Sequence, residues 1–236
     1  MRALLVLLAL AMVSCPPGAA QHLLRVCANP DNLPFSDRAE RGFENRIAYA
    51  LGDELGARVQ FSWGASLEQH SCDVVIGAPA GTDTTRPYYR SSYVFLTRAD
   101  RQLYFQSLDD PRLRPLKLGL EDHTPLMQAL SRRGWPDSVL RGSPARLIAA
   151  VEHGDVDVGL VWGPIAGAFA RGEESTLRIS LINPGSEDQL FSFDVCVGVA
   201  KGQAALKAAL ERALDRRRDE IDGILREYGV PLAGLQ

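Results

Sequence analysis

The run Tyr88-Tyr89-Arg90-Ser91-Ser92-Tyr93-Val94-Phe95-Leu96-Thr97 decides the fold, because it separates two stretches in which strand-like and helix-like segments alternate. Its aromatic and β-branched residues favour a strand. The chain then passes through the polar segment 106–115 into a fresh apolar strand, Leu116–Leu120. These patterns predict an α/β protein whose second lobe begins after this run.

Upstream of the run, the sequence has the pattern of a βαβ unit. Strands are predicted at Leu23–Cys27, Arg58–Trp63 and Cys72–Gly77, and the last is apolar enough for the middle of a parallel sheet. A helix is predicted from about Glu44, because apolar residues recur at every fourth position: Phe43, Ile47, Leu51 and Leu55. Gly56 stands where a left-handed helix cap belongs.

Downstream, two kinds of signal mark the second lobe and the end of the chain. Ser143 and Pro144 predict the start of a helix that ends at Gly154. Further strands are predicted at Val156–Val161, Leu177–Ile182 and Phe191–Ala200, the first of them stopped by Trp162-Gly163-Pro164. Two amphipathic helices follow, interrupted around Gly223, with Arg216-Arg217-Arg218 on a solvated face.

The first twenty residues have the shape of a secretory signal. One positive residue precedes an apolar run, Ala3–Val13, that is too short to span a bilayer, and small residues fit cleavage before Gln21. We therefore expect residues 1–20 to be a signal peptide and the mature chain to be periplasmic. The alternative is a lipoprotein box with the lipid on Cys15. No later stretch predicts a membrane span.

Net charge and cysteine spacing exclude some kinds of partner and some kinds of site. A formal net charge of −3 without a basic block argues against nucleic acid. Cys27, Cys72 and Cys196 are spaced too widely for a Cys-x-x-Cys motif. In an oxidising compartment two of the three would pair, and the alternative is three buried thiols.

No catalytic, metal or cofactor motif is visible in the sequence. The four histidines are not at metal-ligand spacing, and the nucleophile-elbow, Walker and dinucleotide patterns are absent. The carboxylate pair Glu121-Asp122 has the character of an ordinary solvated loop. We therefore expect a protein that is not an enzyme and that holds no metal or cofactor.

Polar and aromatic residues instead follow several predicted strands, at the ends where open α/β sheets bind ligands. Three loops are expected to face one cleft: Asn29–Phe35, Pro79–Arg86 and Trp162-Gly163-Pro164. Trp162 carries the most weight, since a tryptophan at a strand end needs burial or a partner. The candidate cleft and partner-binding residues are Asn29, Asp31, Asn32, Phe35, Trp63, Arg86, Tyr88, Trp162, Gly163 and Pro164.

Nearly the whole mature chain resembles the amino-acid type of solute-binding proteins of bacterial ABC importers. The matching motifs include Pro34-Phe35, Gly42-Phe43-Glu44-Asn45, Cys72-Asp73-Val74-Val75, Pro87-Tyr88-Tyr89 and Gly154-Asp155-Val156-Asp157. The resemblance implies a two-lobed periplasmic binding protein type II fold with two crossing hinge strands, Tyr93–Arg98 and Phe191–Cys196. It places residues 21–95 with 195–236 in lobe 1 and residues 96–194 in lobe 2.

Four longer motifs are similar to the periplasmic J proteins, MxaJ and XoxJ, which accompany methanol dehydrogenases dependent on pyrroloquinoline quinone (PQQ). They are the stretches 25–36, 85–95, 107–113 and 161–167. This resemblance implies a non-enzymatic accessory protein that engages or activates a quinoprotein alcohol dehydrogenase, with the cytochrome c of that enzyme as a further candidate partner. It also implies a Cys27–Cys72 disulfide and a buried thiol at Cys196. The alternative function is an importer's receptor for a small organic solute.

The sequence departs from the amino-acid receptors at both ends of the expected ligand. Their Thr-x-x-Arg loop, whose arginine binds the ligand carboxylate, is shortened here, so Arg86 abuts the hinge strand. Their second-lobe aspartate is replaced by Trp162-Gly163-Pro164. Relative to the J proteins, the chain is also shortened around Gly81 and around 120–124. Such a cleft suits an apolar segment or a small ligand better than a zwitterion.

Overall fold

A computed structural model of the protein describes residues 22–69, 71–135, 139–172, 174–182 and 191–234. The expected signal peptide, residues 1–20, and the alternative lipid site at Cys15 lie outside the described residues. The strands are β1 His22–Ala28, β2 Asp31–Asn32, β3 Ser36–Asp37, β4 Ala57–Trp63, β5 Val74–Pro79, β6 Tyr89–Arg98, β7 Leu118–Glu121, β8 Leu140–Gly142, β9 Val158–Trp162, β10 Leu177–Leu181 and β11 Ser192–Val199. The α-helices are α1 Phe43–Leu55, α2 Pro125–Arg132, α3 Pro144–His153, α4 Gly163–Ala170, α5 Ala204–Arg216 and α6 Arg218–Glu227.

Across the ranges described, no helix is both long and apolar enough to cross a membrane.

Strand β6 joins the two halves of the main sheet, whose order is β4-β1-β5-β11-β6-β9-β7-β8, with β10 also on β6. Its residues Tyr89–Ser92 pair antiparallel with Ser192–Val195 of β11, and its residues Tyr93–Thr97 pair with β9. The fold is thus the two-lobed type II fold with two crossing strands. The crossing on β6 lies at Tyr89–Ser92, earlier than the expected Tyr93–Arg98, because from Tyr93 onward β9 and β10 occupy the two edges of the strand.

The buried residues form separate clusters on the two sides of this crossing. One cluster packs α1, α5 and α6 onto β1, β5 and β11, with Ile47, Val74 and Leu225 fully buried. The other clusters cover opposite faces of β6 and β9, one around Phe95 and one around Val94. Because β6 is buried on both faces here, its sequence is a continuous apolar run rather than an alternating one.

Helices α1 and α3 begin and end at or next to the residues that the sequence patterns predicted. The α1 stripe is fully buried at Phe43, Ile47 and Leu51, and Gly56 ends the helix with φ 63°. At α3, the Ser143 side chain accepts a hydrogen bond from the Arg146 backbone N–H, and Pro144 occupies the first turn. These expectations are confirmed.

Three expectations are wrong for identifiable reasons. Gly163-Pro164 does not merely stop β9 but begins α4, since proline fits the first turn of a helix. The C-terminal helices break at Arg217 rather than at Gly223, which lies inside α6. Strand β5 is parallel to β1 but antiparallel to β11, so it lies in a mixed sheet.

The Arg216-Arg217-Arg218 run also contributes more than a solvated face. Arg216 and Arg217 each donate a hydrogen bond to the Glu54 carboxylate of α1, at 2.8 Å and 2.9 Å. The pair of arginines lowers the pKa of Glu54. These ion pairs tie the break between α5 and α6 to the end of α1.

A disulfide joins Cys27 and Cys72, whose Cα atoms are 5.5 Å apart, and Cys196 is a buried free thiol. Cys27 lies in β1 and Cys72 precedes β5, which is the neighbouring strand. The structure therefore confirms the pairing that the resemblance implied.

Removing this bond should destabilise the protein substantially, because it closes a loop with a sequence separation of 45 residues. A loop of this size restricts the unfolded chain enough to contribute about 2–4 kcal/mol. We expect Cys27→Ser with Cys72→Ser to lower the free energy of unfolding by that amount in urea titrations. The matched control is Cys196→Ser in the same conditions; a double variant as stable as the wild type would contradict the prediction.

Candidate functional site

Three aromatic rings, Tyr93, Trp162 and Phe193, pack together where the two halves of the sheet meet. We call them the aromatic cluster. Their ring centroids are 5.3 Å apart for Tyr93–Trp162, 5.5 Å for Trp162–Phe193 and 6.2 Å for Tyr93–Phe193, all near edge-to-face. Tyr93 is buried, Trp162 is half-buried, and Phe193 remains 36% exposed. The cluster therefore presents aromatic surface to solvent while its base is held in the core.

Sequence reasoning identified Trp162 but missed Tyr93 and Phe193. Each of the two follows a buried serine of the crossing, Ser92 or Ser192, and these serines are paired directly across β6 and β11. The dipeptides Ser92-Tyr93 and Ser192-Phe193 are visible in the sequence. That their aromatic rings meet is not, because it depends on the register between strands about a hundred residues apart.

Glu121 lies against this cluster. It is the last residue of β7 and is half-buried, and its Oε2 accepts a hydrogen bond from the Trp162 backbone N–H at 3.2 Å. Burial raises the pKa of the Glu121 carboxyl, with the Trp162 N–H opposing that shift. The interpretation of Glu121-Asp122 as a solvated loop pair is therefore wrong for Glu121, because β7 extends far enough to carry it inward.

A second half-buried acid, Glu44, lies on the other half of the sheet, in the first turn of α1. A Cβ atom at Gly77 would be 2.0 Å from Glu44 Oε1, so the Glu44 carboxyl packs directly on the backbone of β5 at Gly77. Burial raises the pKa of Glu44 from 4.5 to about 8. The protonated, neutral form of this carboxyl is therefore favoured at neutral pH. Sequence reasoning used Glu44 only as part of a motif.

Arg86 points away from the aromatic cluster. Its guanidinium donates to Asp215 of α5 at 2.9 Å, and its backbone N–H donates to Glu211 at 3.2 Å. The preceding Thr85 fixes this direction, since its N–H donates to the Val197 carbonyl and its hydroxyl accepts from the Val197 N–H. The Arg86 guanidinium is thus occupied by α5.

Tyr88 and Trp63 also lie apart from the aromatic cluster. Tyr88 is buried in the core beside Tyr89, with ring centroids 5.0 Å apart. Trp63 stacks on Phe61 at 5.1 Å on the edge strand β4. In the strand order, β1, β5, β11 and β6 separate β4 from the strand that bears Trp162.

The loop after β1 forms a small exposed hairpin. Asn29, Asp31 and Asn32 are exposed, and Asn29 Oδ1 accepts from the Asp31 N–H at 3.1 Å. Phe35 packs on Phe43 at 5.2 Å and so anchors the hairpin to α1. These four candidates lie together on the hairpin before α1. No hydrogen bond or ring contact among the described residues joins them to the aromatic cluster.

Gly163 and Pro164 are buried where α4 meets the crossing and the C-terminal segment. A Cβ atom at Gly163 would lie 2.4 Å from the Ser92 carbonyl oxygen. One turn later, a Cβ atom at Gly167 would lie 1.9 Å from the Gly229 carbonyl oxygen. We call this contact between α4 and residues 229–231 the seam. It brings the two backbones together at a distance that only glycine permits.

The described residues contain no group of three or more His, Cys, Asp or Glu side chains placed to hold a metal. The site offers aromatic contact area and one acid, Glu121, whose pKa is raised by burial. This arrangement can bind a surface or a side chain.

Comparisons with known proteins point to one group. A scan against protein-family models finds no match. The chain is 34% identical over 244 residues to protein MoxJ of Methylorubrum extorquens, covering 89% of this chain and 81% of that protein. The crystal structure of periplasmic binding protein XoxJ from Methylobacterium extorquens AM1 matches with a TM-score of 0.78 and 33% identity, over 90% of this chain and all (100%) of that one.

Two further likenesses concern the fold alone. The crystal structure of MxaJ from Methlophaga aminisulfidivorans has a TM-score of 0.78 at 24% identity, over 89% of this chain and 100% of that one. Amino-acid solute-binding proteins also match at about a fifth identity, one of them with a TM-score of 0.72. The expected type II fold is confirmed.

Alanine substitution should have opposite effects on stability at two helix glycines, Gly167 at the seam and Gly223 in open space. Gly167→Ala should lower the free energy of unfolding by about 1–3 kcal/mol, because the methyl group overlaps the Gly229 carbonyl. Gly223→Ala in α6 meets nothing within 4 Å and should raise it by about 0.5–1 kcal/mol. Urea titrations of both variants measure the difference; equal effects would argue against the close backbone contact.

Glu44 predicts a pH dependence of stability. Its folded-state pKa is raised to about 8, so between its ordinary pKa and that value the folded state holds a proton that the unfolded state has lost. The resulting stabilisation is present below the ordinary pKa and is lost as pH rises through about 8. Glu44→Gln should flatten the fall in unfolding free energy between about pH 5 and about pH 8.

Glu54→Gln is the control for this prediction. The pKa of Glu54 is lowered by Arg216 and Arg217, so its contribution is lost only at acid pH. This variant should shift the urea midpoint equally across the same pH range. Two results would contradict a raised pKa at Glu44. One is a wild-type unfolding free energy that rises between about pH 5 and about pH 8, and the other is a Glu44→Gln curve that runs parallel to the wild-type curve over that range.

Proposed function

This chain belongs to the MoxJ family, and from that membership we propose that it is a non-enzymatic periplasmic accessory protein that associates with a PQQ-dependent methanol or alcohol dehydrogenase and activates it. The observation that carries this proposal is the aromatic cluster built on Trp162. In amino-acid receptors the resemblance places an aspartate at this point of the second lobe. Here the wall consists of three aromatic rings, one of them 36% exposed at Phe193.

The charges of the site support a protein partner rather than a free amino acid. A zwitterion needs a cation for its carboxylate, but Arg86 is paired with Asp215 at 2.9 Å. It also needs an anion for its amino group, but burial raises the pKa of Glu121, the acid beside the aromatic cluster, and so disfavours a fixed negative charge there. Aromatic area with few fixed charges is typical of the central part of a protein–protein contact.

The lobes are proposed to comprise residues 21–95 with 195–236, and residues 96–194. The separation of the buried clusters supports a division within β6. The clusters separate between Tyr89, which packs with the first, and Tyr93, which packs with the second, a few residues before the proposed boundary at residue 95. The aromatic cluster then lies at the boundary. A dehydrogenase segment in the cleft would contact both lobes at once.

A periplasmic location is part of the proposal. The Cys27–Cys72 disulfide supports it, because such bonds persist in oxidising compartments. The signal peptide at 1–20 is proposed to direct export. In this location the protein would meet the dehydrogenase and its cytochrome c, and the cytochrome is a second candidate contact.

Trp162→Ala should weaken the complex with the cognate PQQ-dependent dehydrogenase by about tenfold, because a large aromatic side chain is removed from the contact. Trp63→Ala is the matched control, since it removes the same side chain from the far edge strand. Affinity is measured by biolayer interferometry and activation by dye-linked alcohol oxidation. The proposal fails if the wild-type protein neither binds the enzyme nor changes its rate.

The same proteins distinguish the alternative of a transport receptor for a small organic solute. Amino acids, amines and short carboxylic acids are added singly while the melting temperature is recorded. A saturable rise for one compound, together with no dehydrogenase binding, would favour the receptor.

A further inference from the structure

A groove beside the seam lies outside the aromatic cluster and is built from both lobes. We call it the seam groove. Its lining residues are Leu33, Pro34, Arg41, Ala168, Phe169, Arg171 and Tyr228. They come from the hairpin before α1, from the end of α4 and from the end of α6. The cavity has a volume of about 350 Å³, enough for one or two large side chains.

The two walls of the seam groove carry exposed apolar side chains. Leu33 is 49% exposed on the hairpin and Phe169 is 52% exposed on α4. Exposed leucine and phenylalanine side chains are individually common on protein surfaces. Here they line one concave site from opposite lobes, and such a site is typical of an interaction surface.

The rim of the seam groove is cationic. Arg41 is paired with the buried Asp37 but remains 69% exposed. Arg171 donates to the Glu227 carbonyl at 3.4 Å, and its guanidinium carbon lies 5.6 Å from the Tyr228 ring centroid. Among the described carboxylates none forms an ion pair with Arg171, since the Glu227 carboxylate is paired with Arg46 at 2.6 Å. The Glu227 carboxylate is shared, because both Arg46 and Arg171 attract it and lower its pKa. The rim thus has more cationic than anionic groups beside its apolar walls.

The groove is held in shape by contacts that do not involve an occupant. The Tyr228 hydroxyl donates to the Arg41 carbonyl at 2.5 Å, which fixes the base of the groove to the hairpin. The Gly167–Gly229 contact fixes α4 against the other wall. A preformed site loses little conformational entropy when it is filled.

We propose that the seam groove docks an acidic segment of the dehydrogenase, one that inserts one or two large apolar side chains between Leu33 and Phe169 and places a carboxylate against Arg171. This inference rests on the proposed function for its partner, but it uses a different surface. Charge complementarity selects the occupant. In a two-fold dimer the cationic rim would face the same rim of the second copy, which disfavours a second copy as the occupant.

The experiment measures the affinity of the dehydrogenase for the mature chain with groove substitutions. Phe169→Ser, Leu33→Ser and Arg171→Gln should each weaken binding by about tenfold. Arg171→Glu should weaken it further than Arg171→Gln, because it adds repulsion from the carboxylate. Raising NaCl from about 0.05 M to about 0.5 M should weaken the wild type more than Arg171→Gln.

The controls are Tyr104→Ser and Arg178→Gln. Tyr104 is 58% exposed in lobe 2, and Arg178 is an exposed arginine that, like Arg171, donates to backbone carbonyls. Neither lines the groove, so neither should change the affinity.

The outcomes separate this inference from the proposed function. Wild-type binding that the groove substitutions leave unchanged would overturn the docking site while the accessory role stands. Absence of any binding would overturn both. A concentration-dependent dimer of the wild type that Phe169→Ser abolishes, with dehydrogenase binding unaffected, would assign the groove to a second copy and overturn the inference.

Discussion

Strand β6 pairs with different strands along its two parts, and the rest of the structure depends on this division. Its first four paired residues, Tyr89–Ser92, bond to β11, and the next five, Tyr93–Thr97, bond to β9. Small buried side chains fill the transition. The Ser91 hydroxyl donates to the Pro231 carbonyl at 2.7 Å, and the Ser92 hydroxyl donates to the Ile182 carbonyl at 3.2 Å. Larger residues there would push apart the strands that must cross.

The functional geometry follows from this crossing. Tyr93 is the first residue of β6 to pair with β9, and its partner in the register is Trp162. Phe193 enters from β11 on the other side, so three strands deliver one ring each to the same place. Glu121 then comes into hydrogen-bond reach of Trp162 because β7 is the next strand along, parallel to β9. The site is therefore a product of sheet register more than of any loop.

Features set by neighbouring residues could be predicted from the sequence, whereas features set by contacts between distant residues could not. Helix α1 could be predicted because its stripe and its Gly56 cap are properties of neighbouring residues. Trp162 could be identified because a large aromatic side chain at a strand end needs an explanation on its own. The direction of Arg86 could not, since it is set by bonds between Thr85 and Val197, 112 residues apart. For the same reason the break at Arg217 was misplaced: it is held by Glu54 on another helix, whereas Gly223 has open space around it.

The direction of Arg86, the raised pKa of Glu121 and the seam together favour a preformed surface over a receptor that closes on a solute. A receptor that closes on a zwitterion needs fixed charges in its cleft and lobes free to approach each other. In this chain Arg86 is paired with Asp215 of α5, and burial raises the pKa of Glu121, the acid beside the aromatic cluster. Helix α4 already touches the C-terminal segment backbone to backbone at Gly167, and the Ala233 N–H donates to the Arg90 carbonyl at 2.9 Å, which ties that segment to β6. For a large partner such fixity is an advantage, because a surface that is already ordered keeps more of its contact energy as affinity.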